Sequence, residues 1–359
     1  MASKTKPPTE LDRPHVALLV ETSLGSGRDI LRGIARYACE QHTWSLFHEP
    51  RSLEESAPQW LRRWKGHGII ARIQNERLAR SVKSTGLPVV DVLGVLENTG
   101  FPLVHVDDTA IARAAADHLV ERGFRKFGFF GIRDENWSTR RANAFRDYLH
   151  EKGLDSKIHE ASRPELISGA WEQREDDLAE WIAKLPKPIG IMVCSDQFGS
   201  DFLEACRRAG VSVPDEVAVI GVDNDEPLCE VSQPPLSSVW PDHFRVGYQA
   251  AALLDRMMHG APVPREAELI APRDVVTRRS TDVLAIEDRN IARALHLIRE
   301  QGCVDIGVEE IVRYSGLSRS VLQRRFRKVL GTTIHSEILN TRLKHACHLL
   351  AETDLPLIE

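Results

Sequence analysis

Hydrophobic positions along the chain follow two rhythms, and the change from one to the other divides the sequence. From Pro14 onward, short apolar runs rich in β-branched residues alternate with longer stretches whose apolar residues recur every three or four positions. The runs are V-A-L-L-V (16–20), G-I-I-A (68–71), P-V-V-D-V (88–92), K-F-G-F-F (126–130), G-I-M-V-C (190–194) and V-A-V-I-G-V (217–222). Runs this short and this continuously apolar suit strands covered on both faces, as in a parallel sheet. Helical spacing appears between them, with Ile30, Leu31, Ile34, Ala35 and Ala38 after the first run and Ile111, Ala114, Ala115, His118 and Leu119 before the fourth. This alternation predicts an open α/β architecture whose ligands sit at the carboxyl ends of the strands.

After a last strand-like piece, Asp274 to Thr277, the segment R-S-T-D-V-L-A-I-E-D (279–288) breaks the rhythm, and a domain boundary is expected there. The remainder reads as helical. Ile291, Leu295 and Ile298 share one face; Val308, Ile311 and Val312 mark a second helix; Val321, Leu322 and Phe326 mark a third; a further helix is expected from Ser336 to about Ala351. Gly316 suits the residue just past a helix end, where φ is often positive, and Ser318 suits an N-cap whose hydroxyl accepts from a free backbone N–H. The stretch 308–326 therefore describes a helix-turn-helix. Its second helix turns Arg319, Ser320, Gln323, Arg324 and Arg327 outward, side chains able to reach phosphates and major-groove base edges. A solvated helical hairpin with a charged outer face would show the same spacing.

Charge sharpens this picture. The 359-residue chain is long enough for two or three compact units, and its formal net charge of -5 argues against a protein that coats nucleic acid over its whole surface. Any basic site must be local, and between Arg319 and Lys344 seven Arg or Lys face a single acid, Glu337. The six cysteines form no C-x-x-C pair or zinc-like cluster with His, which suits reduced thiols in a cytosol. The first apolar run, Val16 to Val20, is too short for a signal-peptide core or a membrane span, so a cytoplasmic location without membrane association is expected.

Catalytic signatures are missing. The glycines in E-T-S-L-G-S-G-R-D-I-L-R-G (21–33) follow a strand and open a helix, yet a dinucleotide fingerprint starting at Gly25 needs glycine where Ile30 stands. No phosphate loop, G-x-S-x-G elbow or H-E-x-x-H occurs, so no enzyme, cofactor or metal is implied. Strand ends gather a different set: Glu21, Arg72, Ser195 with Asp196, Asp223 with Asn224, and Trp137, Arg140 and Arg141 after the fourth run. Carboxylates, guanidinium groups and an amide around an aromatic ring suit a polyhydroxylated ligand, whose hydroxyls donate to Asp and accept from Arg or Asn while the ring covers an apolar face. Asp196 at its strand end is equally suited to capping the next helix, and Trp137 to plain packing.

Several stretches carry a family resemblance. V-H-V-D-D-T-A-I-A-R-A-A-A-D-H-L-V-E-R-G-F (104–124), R-A-N-A-F (141–145), V-C-S-D (193–196), V-A-V-I-G-V-D-N (217–224) and L-S-S-V followed by V-G-Y-Q-A-A resemble the sugar-sensing domains of LacI/GalR repressors and related periplasmic sugar-binding proteins. The tail resembles an AraC-type DNA-binding domain, and the two in this order look like the xylose operon regulators. The resemblance implies a two-lobed, type I periplasmic-binding-protein-like sensor with parallel sheets over 14–283, its lobes at about 14–123 plus 241–262 and 124–240 plus 263–280. An all-α reader follows over 286–359. It places Arg141 and Asp223 on the family's sugar-binding arginine and aspartate, and Asp107 on the aspartate that opens the helix leading to H-L-V. Ser320, Gln323 and Arg324 fall on base-contacting positions, with Ser318, Arg319 and Arg327 beside them. AraC-type domains carry two helix-turn-helix units, and L-P-L-I-E (355–359) looks like the start of the second, so this sequence is expected to hold the first unit and the linker helix only, with reduced operator affinity.

The function implied is a sugar-responsive transcription regulator sensing D-xylose or a related pentose, in which lobe closure positions the readers of a homodimer on double-stranded operator DNA at the nucleoid. The rival is a sugar-binding or sugar-processing protein that uses the same cleft without a transcriptional role.

Overall fold

The first apolar run forms β1 (His15–Leu19), and four of its five residues are buried. In the computed structural model, which describes residues 13–41, 44–51, 57–96, 99–133, 135–161, 171–283, 288–301 and 306–352, this strand lies inside a parallel four-stranded sheet. The order is β2-β1-β3-β4, with β2 at Ser45–His48, β3 at Gly68–Ala71 and β4 at Val89–Asp91. The helix α1 (Gly25–Gln41) buries Ile30, Ile34 and Ala38 of the residues that predicted it, together with Tyr37, while Leu31 is half-buried and Ala35 exposed; α2 (Glu76–Lys83) is capped by Asn75, whose side chain accepts from Leu78 N. The strand β5 (Val104–Val106) continues this lobe and pairs in parallel with β11 (Glu268–Ile270).

The second lobe has a six-stranded sheet of order β12-β10-β9-β8-β6-β7. Its strands are β6 (Phe127–Ile132), β7 (Ser156–Ala161), β8 (Ile189–Val193), β9 (Val217–Val222), β10 (Ser237–Trp240) and β12 (Asp274–Val276). Only the β10 and β12 pairing is antiparallel. All six residues of β6 and of β9 are buried, which is why both read as unbroken apolar runs. Around the sheet lie α3 (Asp108–Glu121), α4 (Asn136–Glu151), α5 (Trp171–Lys184), α6 (Asp196–Arg208) and α7 (Glu226–Val231), while α8 (His243–Met258) returns to pack on α1.

The expected lobe borders need correction in two places. The helix α3 packs on α4 and on β8, β9, β10 and β12, so the chain crosses between lobes just before Asp108 and not at 123/124. The segment 263–280 is likewise shared, since β11 pairs with β5 of the first lobe and only β12 joins the second sheet. Helical periodicity locates a helix but says nothing of which sheet it will cover.

Beyond the sensor, α9 (Arg289–Gln301), α10 (Val308–Ser315), α11 (Arg319–Leu330) and α12 (Ile334–Glu352) enclose their own core, in which Ile291, Leu295, Ile298, Ile311, Leu322, Phe326, Ile334 and Ile338 are buried together. This separate core makes the reader a domain. The sensor's exit is firmly held: His118 Nε2 lies 2.7 Å from Thr281 Oγ1, and Arg122 Nε donates to Thr281 O at 2.8 Å. Ser280 Oγ donates to Val219 O at 2.6 Å. The reader touches the sensor through His296, whose Nδ1 lies 3.0 Å from Asp215 Oδ2. The expected boundary at 279–288 falls where Val283 still belongs to the sensor core and residues 284–287 lie outside the described ones.

Candidate functional site: an inter-lobe cleft and a basic helix

At the strand ends the predicted side chains form separate groups, one on each lobe, that differ in what occupies them. Arg141, one turn and a half into α4, is buried, donates through Nε to Asp108 Oδ1 at 2.9 Å and through Nη1 to Cys194 O at 2.6 Å. Its guanidinium lies 5.2 Å from the centre of the half-buried Trp137 ring, a cation–π geometry. Arg140 Nε donates to the other Asp108 oxygen at 2.8 Å. Burial alone would raise the Asp108 carboxyl; Arg141 and Arg140 beside it outweigh that and hold it below the ordinary carboxylate range. Trp137 Nε1 donates to Glu135 Oε2 at 3.0 Å, so the ring is fixed at one edge while its face covers Arg141.

Asp223 and Asn224 end β9 in an unusual backbone. Their φ angles are 111° and 49°, a region L-residues other than Asn and Asp rarely enter, and such strain concentrates at ligand sites. The Asp223 carboxylate stays about a quarter exposed, 3.4 Å from His243 Nε2, and its charge reaches Arg141. Asn224 Oδ1 accepts from Arg278 Nη2 at 2.9 Å. On the facing lobe, Glu21 and Arg72 follow β1 and β3 and form a buried ion pair, with Arg72 Nη1 also donating to Ser26 Oγ at 3.2 Å. Glu21 Oε2 and Arg72 Nε have no hydrogen-bond partner although both are buried, an arrangement that a ligand hydroxyl would relieve.

Two predicted residues have other occupations. Asp107 caps α3, its Oδ1 accepting from Thr109 N at 2.9 Å and Ala110 N at 3.0 Å, and its neighbour Asp108 supplies the carboxylate of the cleft. Asp196 is fully buried and accepts from Ser238 Oγ at 2.7 Å, Asp225 N at 2.9 Å and Cys229 Sγ at 3.3 Å. Burial, reinforced by the Asp223 charge, pushes its carboxyl up to about 8. It is an internal brace beneath β9 and not a cleft group. Sequence reasoning missed Asp108, His105 and His243. His105 is buried among Asp108, His243, Arg140 and Arg141, and burial pushes its imidazole down to about 3, leaving a neutral ring. The D-D pair at 107–108 carried a signal, because only one of two adjacent residues can cap the helix. Among the described residues no group of three His, Cys, Asp or Glu is arranged to hold a metal ion.

In the reader, Gly316 closes α10 with φ 73°, as its position predicts. Ser318 takes the N-cap place of α11 through its backbone, with φ -69° and ψ 152°, but its hydroxyl makes no capping bond, contrary to expectation. Arg319, Ser320, Gln323, Arg324 and Arg327 are exposed on α11, and four of these five, with Lys328, line one shallow depression. Arg319 also lies 3.9 Å from Glu309, and Arg325, on another flank, binds Asp288 at 3.2 Å. Donors of several lengths on one protruding helix match phosphate and base-edge recognition.

Comparison with known proteins agrees with each part. Residues 15–110 match a model of the XylR N-terminal domain, 116–281 a periplasmic binding protein-like domain and 311–359 a helix-turn-helix domain. The xylose operon regulatory protein of Escherichia coli K12 is 31% identical over 357 residues, spanning 97% of this chain and 90% of that protein. The chain belongs to the xylose operon regulatory protein family. The Haemophilus influenzae member is 29% identical over 352 residues, covering 96% and 90% of the two chains. A solved structure described as the xylose-binding transcription activator XylR superposes with a TM-score of 0.82 at 29% identity, over 96% of this chain and 89% of that one. Like other members of the family, the protein is a DNA-binding transcription regulator and not an enzyme, built from a two-lobed sensor and a helix-turn-helix reader.

Proposed function

We propose that the effector of this regulator is D-xylose, that Asp108, Arg141, Trp137 and Asp223 bind it with the Glu21–Arg72 pair of the facing lobe, and that no cofactor takes part. The observation that carries this reading is the Asp108–Arg141–Trp137 assembly facing the strained, part-exposed Asp223. A neutral polyol gains there a charged acceptor, charged donors and an aromatic face, while the ions it meets already neutralise one another. The names of the relatives, which refer to the xylose operon and to xylose binding, favour this pentose among the polyols.

Sugar that binds the closed lobes more tightly than the open ones shifts the sensor toward closure, and a homodimer would convey that shift to two readers on adjacent half-sites of double-stranded operator DNA. Such a protein works in the cytoplasm at the nucleoid, and among the described residues no helix is long and apolar enough to cross a membrane. Calorimetric titration with xylose, arabinose, ribose and glucose tests the site: xylose should bind tightest, and Asp223→Ala should weaken it at least about tenfold, the cost of losing a charged hydrogen-bond acceptor. Equal affinity for all four sugars, or an unaffected Asp223→Ala protein, would refute it.

A further inference from the structure

The helix α1 begins at Gly25 and contains no acidic residue in its first turn; Glu21 of its own lobe packs against Gly27 but is paired with Arg72, and the N–H of Gly25 takes its carboxylate from elsewhere. The carboxylate comes from across the cleft. Asp225, in the loop after β9 of the second lobe, accepts from Gly25 N at 3.2 Å, and its Oδ2 lies 3.9 Å from Arg28 Nη2. Asp225 stands in the N-cap place of its own helix α7, yet its side chain makes no bond to that helix. Its backbone N–H is tied to Asp196 Oδ2 at 2.9 Å, which aims the side chain outward. Gly25 admits it: a Cβ there would stand 2.8 Å from Asp225 Oδ2.

From this geometry we infer that Asp225 is a positioning residue for effector binding, a helix cap supplied in trans that holds the lobes together and is broken when they part. A carboxylate at a helix N-terminus meets both the unpaired N–H groups and the positive end of the helix dipole. Because those partners sit on opposite lobes, their interaction exists only in the closed arrangement and biases the equilibrium toward it before any sugar contact is made. A second link, Asn136 Nδ2 donating to Gly94 O at 3.1 Å, joins the lobes elsewhere, so losing the cap weakens closure without abolishing it.

The inference deepens the sugar-sensing reading, and its test has a readout that does not depend on sugar. Lobe separation in the free protein, followed by small-angle scattering, should increase in Asp225→Ala and equally in Gly25→Ala, which blocks the same contact from the other lobe. The double variant should open no further than either single one. The apparent Kd should rise by about fivefold, the equivalent of one helix cap, and by the same factor for every sugar that binds, because the loss falls on the closed population and not on a sugar contact. An unchanged free-state separation in Asp225→Ala would overturn the inference, as would additive effects of the two variants. So would a loss of affinity for one pentose and not another, which would make Asp225 a direct sugar ligand. Should no sugar bind at all, the scattering comparison still decides the inference, and the sugar-sensing reading fails separately.

Discussion

At Asp107 and Asp108, adjacent identical side chains take opposite tasks, and the difference can be measured. Asp108 is the counter-ion of buried Arg141, so Asp108→Ala leaves a buried guanidinium without its partner and should cost about 3–5 kcal/mol in urea melts, together with sugar binding. Asp107→Ala removes a helix cap and should cost about 1 kcal/mol while leaving sugar affinity within about twofold. The reverse ranking would contradict the assignment. Asp196 makes a second prediction, of pH dependence. With its folded carboxyl near 8, the folded chain keeps a proton that the unfolded chain has released, so its contribution to stability falls as pH rises toward 8. His105 and His118, pushed down to about 3 by burial, act in the opposite sense, but only below their ordinary value of 6.5. Asp91, raised to about 6 by burial, acts in the same sense as Asp196 but mostly below pH 6.5, so between about pH 7 and 8 the Asp196 effect is the larger, with a slope of up to about 1.4 kcal/mol per pH unit, and Asp196→Asn should flatten it in urea melts across that window. The sequence singled out Arg141 and Asp223 because motif and strand end coincide there. The direction of a carboxylate beside a strand end could not, since capping, bracing and ligand binding all use the same residue type in the same place. The positive φ at Asp223 is likewise invisible in a string of letters.

Individual elements were largely legible where one physical demand governs them. The runs that became β1, β3, β4, β6, β8 and β9 announced themselves because both faces of each strand are covered, whereas β2, with Leu46 and Phe47 partly exposed, and β7, with Ile158 exposed, carry no such run. In the reader, the apolar spacing of α10 and α11 and the turn at Gly316 located the helix-turn-helix because a two-helix corner leaves few alternatives. The Ser318 hydroxyl escaped prediction because an N-cap position constrains the backbone more than the side chain. The seven residues from 353 to 359, where a second helix-turn-helix was expected to start, lie outside the described ones. The exposed face of α11 separates two kinds of contact. Gln323→Ala should relax preference at a single base pair, at a cost of about 1–3 kcal/mol, in binding assays on a set of point-substituted operators. Arg327→Ala should weaken all of them alike and reduce the slope of log affinity against log salt by about one.

On the scale of the whole molecule, the protein joins a two-lobed sensor to a reader with a core of its own. The two lobes were implied by the family resemblance and not by the βαβ rhythm, and two of their borders were misplaced, because helix α3 packs against the lobe opposite to its preceding strand β5 and residues 263–280 are shared between β11 and β12. Sensor and reader meet at the His296–Asp215 contact and through the tightly held exit at Thr281, so a change in lobe arrangement has a physical route to the DNA-binding helices. In the proposed function sugar and operator binding are coupled through that route, and coupling must be reciprocal. The most direct test is operator affinity at fixed salt, titrated with and without saturating xylose, beside xylose affinity measured with and without saturating operator. Xylose should change operator affinity, typically by about 5- to 150-fold, and operator should change xylose affinity by the same factor. Operator affinity that does not move with xylose, while xylose binds the sensor, would contradict it.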